Sequence, residues 1–137
     1  MGLKVKRRKS GEHCPQPCPA LTTMGCSIYA ARPARCRMFD CRQLLELAAG
    51  RIKENDALAR IAEAQALVLQ VRERFLAAGE DRENKAFATR YAAVFTEPWD
   101  DTPEAIRHRE LVKEAMQALE MFLTLHFRTE PASGSTF

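Results

Sequence analysis

Cysteine is the residue type in this chain whose number and placement most clearly offer chemistry. The five are Cys14, Cys18, Cys26, Cys36 and Cys41, separated by gaps of three, seven, nine and four residues. All lie in the first 41 residues, and none in the 96 that follow. Structural staples are normally spread through a fold, so this clustering marks a local site. Thiolates so grouped can ligate a metal, or one can serve as a redox group. The spacing is not that of a zinc finger, the close C-x₂-C pairs of a zinc ribbon are absent, and the ferredoxin run is not matched.

The neighbours of the cysteines favour a metal. Four thiolates around Zn²⁺ or a [4Fe–4S]²⁺ core carry a net double negative charge, which calls for cations and hydrogen-bond donors nearby. Arg32, Arg35, Arg37 and Arg42 fall within or beside the segment, and guanidinium groups remain charged and donate several hydrogen bonds. Ordinary surface charge is the preferred reading for Arg35. Pro15, Pro17, Pro19 and Pro33 disfavour long helices and central strands across 13–41. That segment reads as loops and short turns needing an external staple, which a metal would supply.

Cys18-Pro19-Ala20-Leu21, Gly25-Cys26-Ser27-Ile28-Tyr29, Arg32-Pro33 and Cys36-Arg37-Met38-Phe39-Asp40-Cys41 follow one another in order. This run resembles the signature of a cysteine-cluster family described as zinc- or iron-chelating, C-x-x-L, then G-C-x-I-Y-x-x-R-P-x-x-C-R-x-F-x-C. The resemblance covers residues 18–41, under a fifth of the chain. A similar cluster is associated with flagellin lysine N-methylases, which are larger proteins. The resemblance implies that Cys18, Cys26, Cys36 and Cys41 are metal ligands. It also implies that Tyr29, Arg32, Pro33, Arg37 and Phe39 surround them. The family usually carries an earlier C-x-x-C-x-x-C-C segment, where this chain has only His13 and Cys14. Cys14 is therefore either a replacement ligand or a free thiol. Zinc is the common choice for an all-cysteine structural site, whereas proline after Cys14 and Cys18 hints at iron–sulfur. The choice between zinc and an iron–sulfur cluster stays open.

The rest of the chain must position this segment. With 137 residues, 46% of them apolar, it is long enough for one modest domain. Residues 1–12 read as a flexible basic arm carrying Lys4, Lys6, Arg7, Arg8 and Lys9, and 13–41 as the metal-binding segment. Residues 42–128 read as a helical region, and 129–137 as a disordered tail. A short helix over 43–49 should stop near Gly50. A longer one, capped by Asn55 or Asp56, should stop at Gly79, with Leu58, Ile61, Val68, Val71 and Phe75 on its apolar face. Residues 80–84 read as a polar loop. Phe87, Tyr91 and Val94 suggest a third helix, closed by Pro98. Thr102 can cap a last helix with Pro103 in its first position, running to about Phe127. That helix should bury Ile106, Val112, Met116, Leu119 and Leu123. The expected fold is mainly α, with an irregular cysteine-rich segment packed on a small helical hairpin or bundle.

Other functions find less support. The net charge is only +3, and no aromatics interleave with the basic arm, so nucleic-acid binding is disfavoured. There is neither a bilayer-length apolar run nor a signal-peptide pattern, which points to a reducing, cytoplasmic setting without a membrane partner. The glycines are scattered rather than gathered in a phosphate loop. Ser10, Ser27, Ser133 and Ser135 lack a nucleophile context, and no Glu-x-x-His pair exists for a di-iron site. Acids such as Glu46, Glu63, Glu110 and Glu120 read as solvated. His108 and His126, eighteen residues apart on one helix, sit about 27 Å from each other and cannot share a metal. The expected function is metal binding without catalysis, with a protein partner for the helices as a further expectation. An iron–sulfur redox or accessory role beside an enzyme such as a protein lysine methylase is the alternative.

Overall fold

The computed structural model describes residues 6–8, 11–13, 18–38, 40–96 and 101–129. Cys14, Phe39, Pro98, Lys4, Lys9 and the tail after Thr129 lie outside them. Where the sequence reads as a flexible arm, the backbone of β1 (Lys6–Arg8) pairs antiparallel with β2 (Gly11–His13). A second small hairpin joins β3 (Leu21–Thr22) to β4 (Gly25–Cys26). A 3₁₀ turn (Tyr29–Ala31) and α1 (Ala34–Arg37) follow.

The remainder is helical. It comprises α2 (Arg42–Ala48), α3 (Glu54–Ala77), α4 (Phe87–Thr96) and α5 (Pro103–His126). The helix ends follow from local chemistry. Gly50 and Gly79 adopt φ +68° and +79°, conformations that cost glycine little. After α3, the Gly79 N–H donates to the Leu76 carbonyl and the Glu80 N–H to the Phe75 carbonyl. The Arg51 N–H likewise donates to the Glu46 carbonyl after α2. Each glycine thus closes a Schellman-type end that satisfies otherwise orphaned carbonyls. Thr102 accepts the Ala105 N–H at 3.3 Å, with Pro103 in the first turn. At the start of α3 the expected cap is corrected. The helix begins at Glu54, and Asp56 reaches back to accept the Lys53 N–H at 3.1 Å.

Helices α3 and α5 form the central hairpin. Their core is Val71, Phe75, Val112, Ala115 and Leu119, with Phe87, Tyr91 and Val94 of α4 packed against it. Phe75 and Phe87 meet edge-on, their centroids 5.7 Å apart. Burying a side chain such as Phe75 or Val71 contributes about 1.5–3 kcal/mol. The apolar periodicity misplaces three residues. Leu58, Ile61 and Ile106, expected inside, are 54%, 39% and 42% exposed. The helix-pair contact is narrower than the apolar stripe, so the stripe's outer edge remains in water.

Candidate metal centre

Each of the four cysteines implied as ligands sits on a different local element. The Cys18 carbonyl accepts the Leu21 N–H at 3.0 Å, just ahead of β3. Cys26 ends β4, opposite Leu21. The Ser27 N–H and hydroxyl both donate to the Ala20 carbonyl, at 2.8 and 3.0 Å, which closes the base of that hairpin. Gly25 stands at φ +103°, where any other side chain would strain the turn. Cys36 lies within α1, and Cys41 immediately precedes α2. All four thiols are free; Cys18 and Cys41 are half-buried, Cys26 and Cys36 exposed.

Soft, unbridged thiols are the donor chemistry that zinc and iron–sulfur clusters take. Among the described residues, however, no three His, Cys, Asp or Glu side chains converge into a group able to hold a metal ion. The donor types therefore fit, while the arrangement does not bring them together.

The surrounding arginines divide. The Arg32 guanidinium stacks 4.0 Å from the centre of the Tyr29 ring, giving a local cation–π pair within the segment. Arg37 is exposed. Arg42 is committed elsewhere, because its guanidinium donates to the Leu125 carbonyl at 2.6 Å and its backbone N–H to the Phe127 carbonyl at 3.0 Å. Next to it, Gln43 is buried. Its amide donates to the His126 carbonyl, and its oxygen accepts from Arg60 at 3.3 Å. Together these bonds satisfy the open carbonyls at the C-terminal end of α5. They also fix the start of α2, and with it Cys41, against the helical hairpin. The sequence reading missed this joint, since Gln43 carries no signal of burial.

A second polar cluster also escaped it. Arg90 is 1% exposed and donates to the Glu80 carbonyl at 2.7 Å, while its guanidinium lies 4.5 Å over the Phe75 ring. Its buried Nε has no hydrogen-bond partner among the described residues and stands 3.7 Å from a Glu80 carboxylate oxygen. Arg82 grips that carboxylate, with its Nε 3.0 and 2.9 Å from the two oxygens. The hydrogen-bonded Arg82 holds the Glu80 carboxyl below the ordinary carboxylate range, and the charge of Arg90 adds to this. The one hint was that Arg90 is the only charged residue in α4. The cluster braces the α3–α4 connection and presents no nucleophile.

An open groove of about 910 Å³ runs beside Arg42, Leu67, Met121, Phe122 and Leu125. Its lining is mostly apolar and, among the described residues, includes no cysteine, serine or histidine. His126 packs against Phe122 with the rings tilted at 51° and their centroids 4.6 Å apart. No described helix is long and apolar enough to cross a membrane. Searches of family models, of curated proteins and of solved structures found no match to this chain.

Proposed function

We propose that this chain is a metal-binding protein without catalytic activity of its own. Cys18, Cys26, Cys36 and Cys41 would hold zinc or an iron–sulfur cluster, with Cys14 as a further candidate ligand. The ordered run from Cys18 to Cys41 carries this reading. Support comes from how little else could hold that segment together. Across the described residues of 18–41, Ala20 is the only buried side chain, while Leu21, Met24, Tyr29 and Met38 are 64%, 95%, 63% and 74% exposed. A chain segment without a core requires a covalent or metal staple to hold one conformation. The thiols form no disulfide, so they remain available as ligands.

The metal would supply tetrathiolate bonds that fix the segment. Because the four thiols are not gathered into one shell, binding entails rearrangement of 18–41, and loading and ordering of the segment occur together. The joint made by Arg42 and Gln43 would fix where the ordered segment sits against the helical hairpin, whose own core does not depend on the metal.

Elemental analysis and an absorbance spectrum of anaerobically purified protein test the proposal. Zinc without a visible band means a structural site. Iron with inorganic sulfide and a brown colour means a redox-capable cluster and favours the accessory role beside an enzyme. Cys36→Ser or Cys41→Ser is expected to abolish metal content, and Cys14→Ser to reduce it less. Full metal retention by Cys36→Ser overturns the ligand assignment.

A further inference from the structure

The helical hairpin leaves apolar surface open on two sides of α5, and the cysteine segment is rooted on one of them. Near the end of α5, Leu123 and Phe127 lie four residues apart on one stripe, and Met121 and Leu125 on another. Two positions along a helix turn about 200°, so the stripes face different ways. Asp40, at the root of the segment, walls a cavity of about 310 Å³ with Leu123, Phe127 and Arg128. Phe127 also lines a groove of about 430 Å³ along α3, with Ile61, Val68, Leu69 and Arg72. Cavity and groove thus meet at one ring, and the segment starts beside it. Of the described residues 18–42, Arg42 alone lines the groove beside Met121 and Leu125, and its guanidinium is engaged with the Leu125 carbonyl.

What the segment offers to the groove along α3 is Met38. It is 74% exposed at the end of α1, two residues from Asp40. Two residues span at most about 7 Å, which keeps Met38 close to Phe127 whatever the rest of the segment does. The exposed Leu21, Met24 and Tyr29 are at least eleven residues from Asp40. Methionine is unbranched and flexible, which suits an irregular gap. So short a tether also holds the side chain at an effective concentration of about millimolar, well above that of a free partner. Cys36, two positions earlier and about 200° round α1, stays on the outer side.

We infer that residues 18–38 form a strap that closes on the hairpin by seating Met38 in the groove between α3 and Phe127. The structure shows the open arrangement, with Met38 and Leu69 both exposed. Closing removes both from water, which is the driving force. It also sets α1 against the same hairpin that fixes Cys41. The contact is apolar and is independent of the metal proposal.

A brief hydroxyl-radical pulse on the full chain, read by peptide mass spectrometry in one metal state throughout, tests the strap, because methionine oxidation follows exposure. Met38 and Met121 are 74% and 72% exposed in the open arrangement, so an open strap oxidises them alike. Closure should slow Met38 at least about fivefold relative to Met121, the ratio for a strap closed about four-fifths of the time. Leu69→Glu, at an exposed position of the groove, should abolish that protection, with helix content by circular dichroism unchanged. Leu125→Glu, on the other stripe, should preserve it. Equal oxidation of Met38 and Met121 overturns the inference. So does protection that survives Leu69→Glu or is lost in Leu125→Glu. Protection that appears only as protein concentration rises also overturns it, since a second copy then fills the groove.

Discussion

The helical region and the cysteine segment are held by different physics. In the helical region, Val71, Phe75, Val112, Ala115 and Leu119 interlock across α3 and α5, and α4 packs on the same core. In the cysteine segment, two-residue strands, a 3₁₀ turn and a four-residue helix follow one another with Ala20 as the one buried residue among those described. The hairpin can fold by removing apolar surface from water. The segment has no comparable core among its described residues, and under the proposed function a bound metal supplies its stability. The contrast teaches that burial of apolar side chains accounts for the helical region but not for the cysteine segment, and if a metal holds the latter, each part should respond to its own perturbation.

The largest effect should come from the core. Phe75→Ala removes the ring that meets both Phe87 and Arg90, and should cost about 3–5 kcal/mol in denaturant unfolding. Retention of wild-type stability would mean that the hairpin does not depend on this core.

Metal removal is the complementary test. A chelator should raise hydrogen exchange across 18–41 while exchange in α3 and α5 stays within about twofold of that in the loaded protein. Loss of protection in both regions at once would break the comparison and make the whole fold metal-dependent.

The Glu80 cluster should give a pH-dependent effect. Its carboxyl is lowered in the folded state, so its stabilising contribution is present at neutral pH and is lost as pH falls through that lowered value. Glu80→Gln should cost about 2 kcal/mol at pH 7. The difference from the unsubstituted chain should shrink on acidification below the ordinary carboxylate range. A pH-independent difference would remove Arg82 and Arg90 as its cause.

The joint between the regions should give a smaller change. Arg42→Ala deletes the bond to the Leu125 carbonyl and should cost about 1 kcal/mol, with the loss of exchange protection centred on α2. The smallest effect concerns alkylation of the metal-free chain. The exposed Cys26 and Cys36 should react ahead of the half-buried Cys18 and Cys41, and metal should protect all four.

The sequence alone determined the places where the chain must stop or start. Gly50 and Gly79 end helices because a left-handed residue is needed there, and Thr102-Pro103 starts one because its oxygen and fixed φ suit a first turn. These are interactions among residues a few positions apart, so they are written locally. The clustering of cysteines in one segment is likewise legible without a fold. The apolar spacing also placed Val71, Phe75, Val112 and Leu119 on the inward faces, but only the tertiary structure decided how far each stripe is covered. It left Leu58, Ile61 and Ile106 in water while burying Gln43, Glu80 and Arg90. Burial depends on what lies opposite, and the carbonyls that accept from Arg42 and Gln43 come from residues more than eighty positions away. No local pattern in the chain records such a partner.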